Sequence, residues 1–575
     1  MIKLIYQSLS LIPKNLINKY YLLFFFILGN VFFDLVSIGL LIPAIAILAG
    51  DINNLHPIFQ SLLDFLNLNI LNPNLILIFV AIAFLFKTIF FLLFNWLKFS
   101  TTVLIVSDLS KKLTQIYLNK KIIFFLDKNS SELIRNCTSE IARFNKNIIL
   151  ASLNLISDIL IVIFITILIF YIEFKVSSFV LLFVLLFFGS YFLFFKSKID
   201  MYGRERQLLE KYRLKNAQTL FQGIRLIKIF AKENNFVNKF FKNVFKLMNY
   251  EKKINLIVST PRQLIEFVSV IIFLTIIYLL LYFSDEKNFI SVLPTLTLFV
   301  VGFIRIAPSF NRILLHAQLI NSSISTIKLL LKEFNEKKIN AEDENNNNEY
   351  LNIKGSIVFK NLSFKYKNRD NPVFKNLNLT IPTQRIIGII GKSGSGKSTF
   401  LDILMGLIEC DEGKVTINGE NIIQYKKQWR ENIAYIPQEN YIFDASINEN
   451  IAVEFDKNKI NHQQIELAAS VSMIDEFVTK FPDKYETEIG EKGSNLSGGQ
   501  IQRIALARGI YSNPKIYILD EFTNALDKET EKILLEKFLQ FAKEKTIFLS
   551  THNKDLLNIC NEVYEIKNFT LNKIK

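Results

Sequence analysis

The segment 391–399 reads GKSGSGKST, and its residue types are those that hold a polyphosphate. Gly391, Gly394 and Gly396 let backbone N–H groups close round anionic oxygens, and Ser393 and Thr399 belong to the same candidate nucleotide set. Lys397 is placed to reach the outer phosphates, and Ser398 to enter the shell of a Mg2+ ion. A second motif, IYILDE over 516–521, ends an apolar run in two carboxylates. Asp520 is a candidate Mg2+ ligand and Glu521 a candidate base that polarises an attacking water. Two surface acids closing a strand would look the same in isolation; the glycine-rich segment upstream gives the pair its meaning. A third motif, LSGGQ over 496–500, offers another backbone anion cradle from Ser497, Gly498, Gly499 and Gln500. In one chain that already has a cradle, it is redundant.

These groups require particular elements around them. RIIGII (385–390) reads as a strand and FLDILMGLI (400–408) as a helix, so the first cradle sits on a strand-to-helix turn with a positive dipole end. IYILD reads as a buried strand, and QIQRIALARGI (500–510) as the helix after the third motif. From about 351 the composition is that of a soluble α/β protein. Upstream it is different. A bilayer core of about 30 Å takes about 20 apolar helical residues. Runs at 21–49, 74–97, 147–171, 177–195, 264–283 and 289–310 meet that length. The expected fold is therefore multi-domain: an all-α six-helix transmembrane domain over 1–335, a polar linker over 336–350, and an α/β P-loop ATPase domain over 351–575. The linker's KINAEDENNNNE (338–349) lacks the apolar surface to order itself.

Half of the 575 residues are hydrophobic, 54 are Phe, and the net charge is +15. Lys and Arg crowd 98–146 and 196–253, whereas 50–76 holds Asp51 and Asp64 but no Lys or Arg. That asymmetry puts the basic loops and both termini in the cytoplasm and removes the need for a nucleic-acid partner. Cys137, Cys410 and Cys560 have no metal or redox spacing. The N-terminal residues lack the cleavage site of a signal peptide. Two long cytoplasmic loops read as helical extensions with tips near 127–133 and 223–235, each expected to dock on the ATPase. HPIFQSLLDFLNLN (56–69) reads as a small amphipathic helix at the outer membrane surface.

LSGGQ, together with GKSGSGKST and IYILDE, resembles the ABC transporter ATPases, in which LSGGQ is the signature motif. The resemblance implies ATP and Mg2+ as ligands. It implies that Tyr366 stacks on adenine, that Gln438 touches Mg2+ beside Ser398 and Asp520, and that His552 contacts the γ-phosphate and assists Glu521. Asp527 would end a segment that crosses the dimer interface, and TEIGE (487–491) resembles a loop of exporters. Asn524 and Asn553 depart from the Ser and Arg usual in the family. In such proteins the signature of one subunit closes on the nucleotide of the other. Two chains are then required, with a homodimer allowed and a heterodimer left open.

Ionisable groups within apolar spans call for a functional reading. At 1.5 Å per residue, Lys87, Arg305 and Arg262 lie roughly 20, 25 and 31 Å from the outer ends of their helices, a graded basic column suited to an anionic cargo. Simple ion pairs, Lys87 with Asp34 and Arg262 with Glu266, compete with that reading. IGLLIP (38–43), STPR (259–262) and RIAPSFNR (305–312) resemble the bacterial lipid-linked oligosaccharide flippases, the group containing the Campylobacter N-glycan flippase. Lys87 stands where that flippase has Arg. The resemblance implies a bacterial inner-membrane location and an anionic polyprenyl-pyrophosphate glycan as cargo. A multidrug, lipid or peptide exporter with the same engine is the alternative. The apolar runs exclude a soluble ATPase.

Overall fold

The computed structural model describes residues 7–48, 73–172, 174–283, 289–335, 351–367, 369, 371–490, 493 and 495–575. The external segment 56–69 and the linker 338–349 therefore lie outside the described residues. The chain divides into two compact units, Met1–Asn119 with Lys128–Ala341, and Lys120–Asp127 with Glu342–Lys575.

The described part of the first unit is helical. Helix α1 spans Lys14–Leu48 and α2 Pro73–Leu118; α3, Ile122–Asp127, belongs to the other unit. Then follow α4 (Ser130–Arg135), α5 (Ile141–Phe144) and α6 (Ala151–Ile172), separated by π turns at Asn136–Glu140 and Asn145–Leu150. Helices α7 (Phe174–Gln222), α8 (Ile224–Ile229), α9 (Glu233–Phe283), α10 (Phe289–Ser322) and α11 (Ile324–Asn335) complete it. The six apolar runs fall on α1, α2, α6, α7, α9 and α10. Among the described residues, Lys14–Ser37, Ile78–Leu118 and Ser130–Tyr171 are long and apolar enough to cross a membrane.

Composition explains these helices. In α1, Leu23, Ile27 and Val31 recur every fourth residue and are buried, while Phe25 and Phe32 point outward, 71% and 61% exposed. Apolar residues on the outer face suit lipid as solvent, where backbone groups must be satisfied inside the helix. A Cβ on Gly29 would sit 2.7 Å from the Phe90 ring, so this glycine lets α1 approach α2. Below the apolar runs the packing turns polar. The amide of Asn136, in the first π turn, donates to the Tyr117 hydroxyl at 3.0 Å. Thr326 of α11 donates to Glu140 at 2.7 Å, close to the 44° bend between α10 and α11.

The second unit holds two sheets. A four-stranded antiparallel sheet, ordered β2-β1-β4-β5, contains β1 (Ser356–Phe364), β2 (Phe374–Pro382), β4 (Glu412–Ile417) and β5 (Glu420–Asn421). A six-stranded sheet runs β10-β9-β3-β8-β7-β6. Its strands are β3 (Ile386–Ile390), β6 (Ile433–Ile436), β7 (Ile516–Asp520), β8 (Thr546–Ser550), β9 (Glu562–Lys567) and β10 (Thr570–Lys573). Every residue of β7 and β8 is buried, as expected of parallel strands covered on both faces.

The first loop tip differs from the sequence expectation of 127–133. Its helix is α3, at Ile122–Asp127. Ile122 and Ile123 pack against the apolar core of the second unit. Asn129 already caps α4, accepting from the Ser131 N–H at 3.0 Å. Burial alone would raise the Glu409 carboxyl, but Lys121 and Lys426, each 2.6 Å away, hold it below the usual range. The segment Lys120–Asp127 thus belongs with the ATPase core, whereas a cut at 335 assigns it to the membrane domain. The second tip is α8, with Leu226 and Ile229 exposed.

Candidate functional site

Strands β3, β8, β7 and β6 are mutually parallel neighbours, so their carboxyl ends emerge on one edge of the sheet. From that edge β3 runs into Gly391–Gly396, β7 into Glu521, β8 into His552 and β6 into Gln438. The register continues past the strands, because the Glu521 N–H donates to the Ser550 carbonyl at 2.9 Å.

The helix Lys397–Leu404 starts at Gly396, whose φ of 109° is left-handed. A Cβ there would lie 2.6 Å from Val373, and one on Gly391 2.5 Å from the Ser395 hydroxyl. Only glycine closes this turn without displacing its neighbours. The Ser395 hydroxyl is buried without a hydrogen-bond partner, and Ser393, Gly394 and Ser398 are exposed. Lys397 Nζ donates to the Gly391 carbonyl at 2.8 Å and lies 2.8 Å from His552 Nε2. The ammonium can only donate, so Nε2 accepts and the ring proton sits on Nδ1. Glu521 Oε1 lies 3.5 Å from the same Nε2.

Glu521 has φ 48°, left-handed for a side-chain-bearing residue. Such strain is held in place by its surroundings. Its carboxylate accepts from the Gln438 amide at 2.8 Å and from the Asn524 amide at 3.0 Å. Asn524, a departure from the family in the sequence, is thus a second clamp on Glu521. Asp520 is buried, and that burial, helped by the charge of Glu521, raises its carboxyl above the usual range. Asp402, four residues beyond Ser398 on one helical face, belongs to no motif read in the sequence. Its carboxyl is pushed up to about 6 by burial and by the charge of Asp520. Two crowded carboxyls beside an open glycine cradle fit a divalent cation and a polyphosphate.

Tyr366 lies beside the helix start, its hydroxyl 3.1 Å from Thr399 and the Arg369 guanidinium 5.7 Å from its ring. Ser497 caps the helix Gly498–Ser512 through a reciprocal pair with Gln500. Gly498 and Gly499 pack so closely on Ala525 and Leu526 that a Cβ would meet them at 3.1–3.3 Å. None of the described hydrogen bonds joins 497–500 to 391–399. The segment 487–491 is described only to Gly490.

A family model for the ABC transporter matches residues 374–524, and one for the ABC transporter transmembrane region matches 20–306. Together they account for the greater part of the sequence. The chain belongs to the ABC transporters. The transporter is 38% identical over 214 residues to the mouse mitochondrial ATP-binding cassette sub-family B member 10, which covers 37% of this chain and 30% of that protein. It is 36% identical over 217 residues to the ATP-dependent lipid A-core flippase of Pasteurella multocida, covering 38% and 37%. The match to the leukotoxin translocation ATP-binding protein LktB of Mannheimia glucosida is 38% over 201 residues, covering 35% and 28%. The chain thus spans about a third of the length of the curated relatives it matches. A bacterial Atm1-family ABC exporter with ATP bound shares the fold over 95% of this chain and 94% of its own, with TM-score 0.72 and 19% identity.

The membrane unit contains a cavity of about 430 Å3 lined by charged residues of α1, α2, α6 and α10. Lys87 pairs with Asp34 at 2.5 Å and donates to the Ser37 hydroxyl at 3.2 Å. Arg305 lies 3.8 Å from the same Asp34 and stays 43% exposed. The ion pair weighed against cargo binding at Lys87 is therefore present, and Arg305 is the freer cation. Arg262 is on α9; its side chain lies outside the described residues. Lys98, Asp158 and His316 also line the cavity, and sequence reasoning passes over them. They come from three helices, with no local motif to mark them.

The crowded carboxyls give a pH signature. Asp402 binds its proton more tightly folded than unfolded, so its contribution to stability is present below about pH 4 and lost as the pH rises through about 6. In nucleotide-free, Mg2+-free protein, Asp402→Asn is expected to be more stable than wild type above pH 6, by about 1–2 kcal/mol after solvent screening. The gain should shrink toward pH 4. Thermal melts of both proteins across pH 4–8 read it; equal melting differences at all pH values would contradict it.

Proposed function

We propose that this transporter hydrolyses ATP as a dimer and uses the cycle to move an anionic, lipid-linked saccharide from the inner to the outer leaflet of a bacterial inner membrane. The N- and C-termini are cytoplasmic in this reading, and the dimer is a homodimer. The observation that carries the ATPase half is the convergence of Lys397, Asp520, Glu521, Gln438 and His552 on one sheet edge. Lys397 exchanges the Gly391 carbonyl and His552 for phosphate oxygens, and Tyr366 stacks on adenine. Ser398, Asp520 and Gln438 would hold Mg2+, which neutralises phosphate charge when bound. Glu521, held by Asn524 and by its backbone turn, orients and polarises the attacking water, and His552 contacts the γ-phosphate. The cradle Ser497–Gln500 serves the nucleotide of the second chain.

The cation-rich cavity supports the cargo class. Lys87 and Arg305, which line it, and Arg262 of α9 would meet the pyrophosphate of a polyprenyl-linked glycan. The resemblance of 38–43, 259–262 and 305–312 to oligosaccharide flippases points the same way. A relative named as a lipid A-core flippase supports export of an amphipathic lipid more generally. The second reading, a multidrug, lipid or peptide exporter, draws on the relative named for leukotoxin translocation.

Reconstituted protein should turn a labelled polyprenyl-pyrophosphate oligosaccharide across proteoliposomes with ATP. Glu521→Gln should retain ATP binding but lose at least about 100-fold in hydrolysis, as expected for a base acting in the transition state. Wild-type-like turnover by that variant would remove Glu521 from the role. Arg305→Ala should lower cargo-stimulated transport about tenfold or more by deleting a charge-assisted contact. Hydrolysis by wild type without any flipping would discard the saccharide cargo in favour of the second reading.

A further inference from the structure

The cavity of the membrane unit carries charge in two layers. Lys87 and Arg305, both against Asp34, form the first, part of the cargo site proposed above. The second is built on Asp158 of α6. Arg312 of α10 reaches its Oδ1 with Nε at 2.8 Å and Nη2 at 2.7 Å, and Nη2 also donates to the Ser309 hydroxyl at 2.8 Å. His316, one turn further along α10, has Nε2 3.8 Å from Asp158 Oδ2. Lys98 of α2 lines the same cavity and donates to Asn154 at 3.1 Å. Along α10, Arg305 and Arg312 are about 10 Å apart; along α2, Lys87 and Lys98 are about 16 Å apart.

Two features distinguish this layer from a closed structural ion pair. Its groups do not match in number: Arg312, Lys98 and a histidine gather round one carboxylate. Its partners are also unequally covered. The Asp158 side chain is 6% exposed, whereas that of Arg312 is 49% exposed. Nδ1 of His316 is buried without a hydrogen-bond partner. A buried carboxylate holding a half-open guanidinium occupies the fork that a phosphate would use, since both anions take the same paired N–H groups.

We propose that this layer is a second anion station, in which Asp158 is a built-in counter-anion that a phosphate-bearing group displaces from Arg312, with Lys98 and His316 completing the ligand set. The ligand chemistry is a phosphate or pyrophosphate, borne by a lipid or free. The proposal rests on the anionic-cargo reading of the first layer. Before an anion arrives, Asp158 keeps the cations of the station paired in an apolar surround. An anionic head group then takes the Arg312 fork, and the released Asp158 carboxylate keeps His316, 3.8 Å away, as its partner.

The test is binding of a fluorescent polyprenyl pyrophosphate to the full-length protein in lipid nanodiscs. Asp158→Asn, which removes the competitor, should bind about tenfold tighter, and Arg312→Gln about tenfold weaker. Melting temperatures are taken alongside. Should Asp158→Asn fail to fold, Arg312→Lys decides, because it keeps the charge and loses the fork: weaker probe binding at unchanged melting temperature is expected. Competition by inorganic pyrophosphate would mean that the free anion suffices; competition by unlabelled lipid alone would mean that the station reads a lipid head group. Wild-type affinity in both Arg312 variants, with no tightening in Asp158→Asn, would overturn the second station. If Arg305→Ala still weakened binding, the first-layer reading would survive that result. No probe binding by wild type would overturn both.

Discussion

The parallel hydrogen-bond register of β3, β8, β7 and β6 is the constraint on which the ATPase unit depends. Parallel neighbours carry their carboxyl ends to one edge, so four segments far apart in sequence deliver Lys397, His552, Glu521 and Gln438 within contact of one another. A shift of one residue in β7 would turn Asp520 to the other face of the sheet. The fully buried apolar faces of β7 and β8 resist such a shift. The register ends in the hydrogen bond from Glu521 to Ser550, and there the backbone turns into a left-handed conformation that re-aims the carboxylate.

The membrane unit answers to a different solvent. Its helices carry Phe and Leu outward, which is unfavourable in water and neutral in lipid. Charges can then be kept only in the interior, where each carboxylate gathers more than one cation: Asp34 with Lys87 and Arg305, Asp158 with Arg312 and His316. The chain passes from α2 through α3 and back to α4. Helix α3 is anchored by Ile122, Ile123 and the Lys121–Glu409 pair to the ATPase core.

What can be read in the sequence is local. GKSGSGKST, IYILDE and LSGGQ are contiguous, and their chemistry follows from neighbours on one turn. The apolar runs are equally plain, because helix length in a bilayer is a count. Groups brought together by packing are not legible. Asn524 reads as a departure until its amide is placed on Glu521, and Asp402 gives no sign of sharing a site with Asp520. Lys98, Asp158 and His316 sit on three helices, and only the bundle joins them. The tip helix α3 starts a few residues before 127–133, and Asn129, a residue type common in loops, turns out to cap the helix that follows.

Central to the proposed mechanism is the sharing of each ATP between the Gly391–Thr399 cradle of one chain and the Ser497–Gln500 cradle of another. Mixed dimers test it most directly. One chain carries Lys397→Ala and the other Gly498→Asp, with different tags so that only the mixed species is purified. Each variant alone should be inactive, and the mixed dimer, with one composite site intact, should recover a measurable share of wild-type hydrolysis. A purified mixed dimer as inactive as its parents, or either parent retaining wild-type turnover, would contradict it.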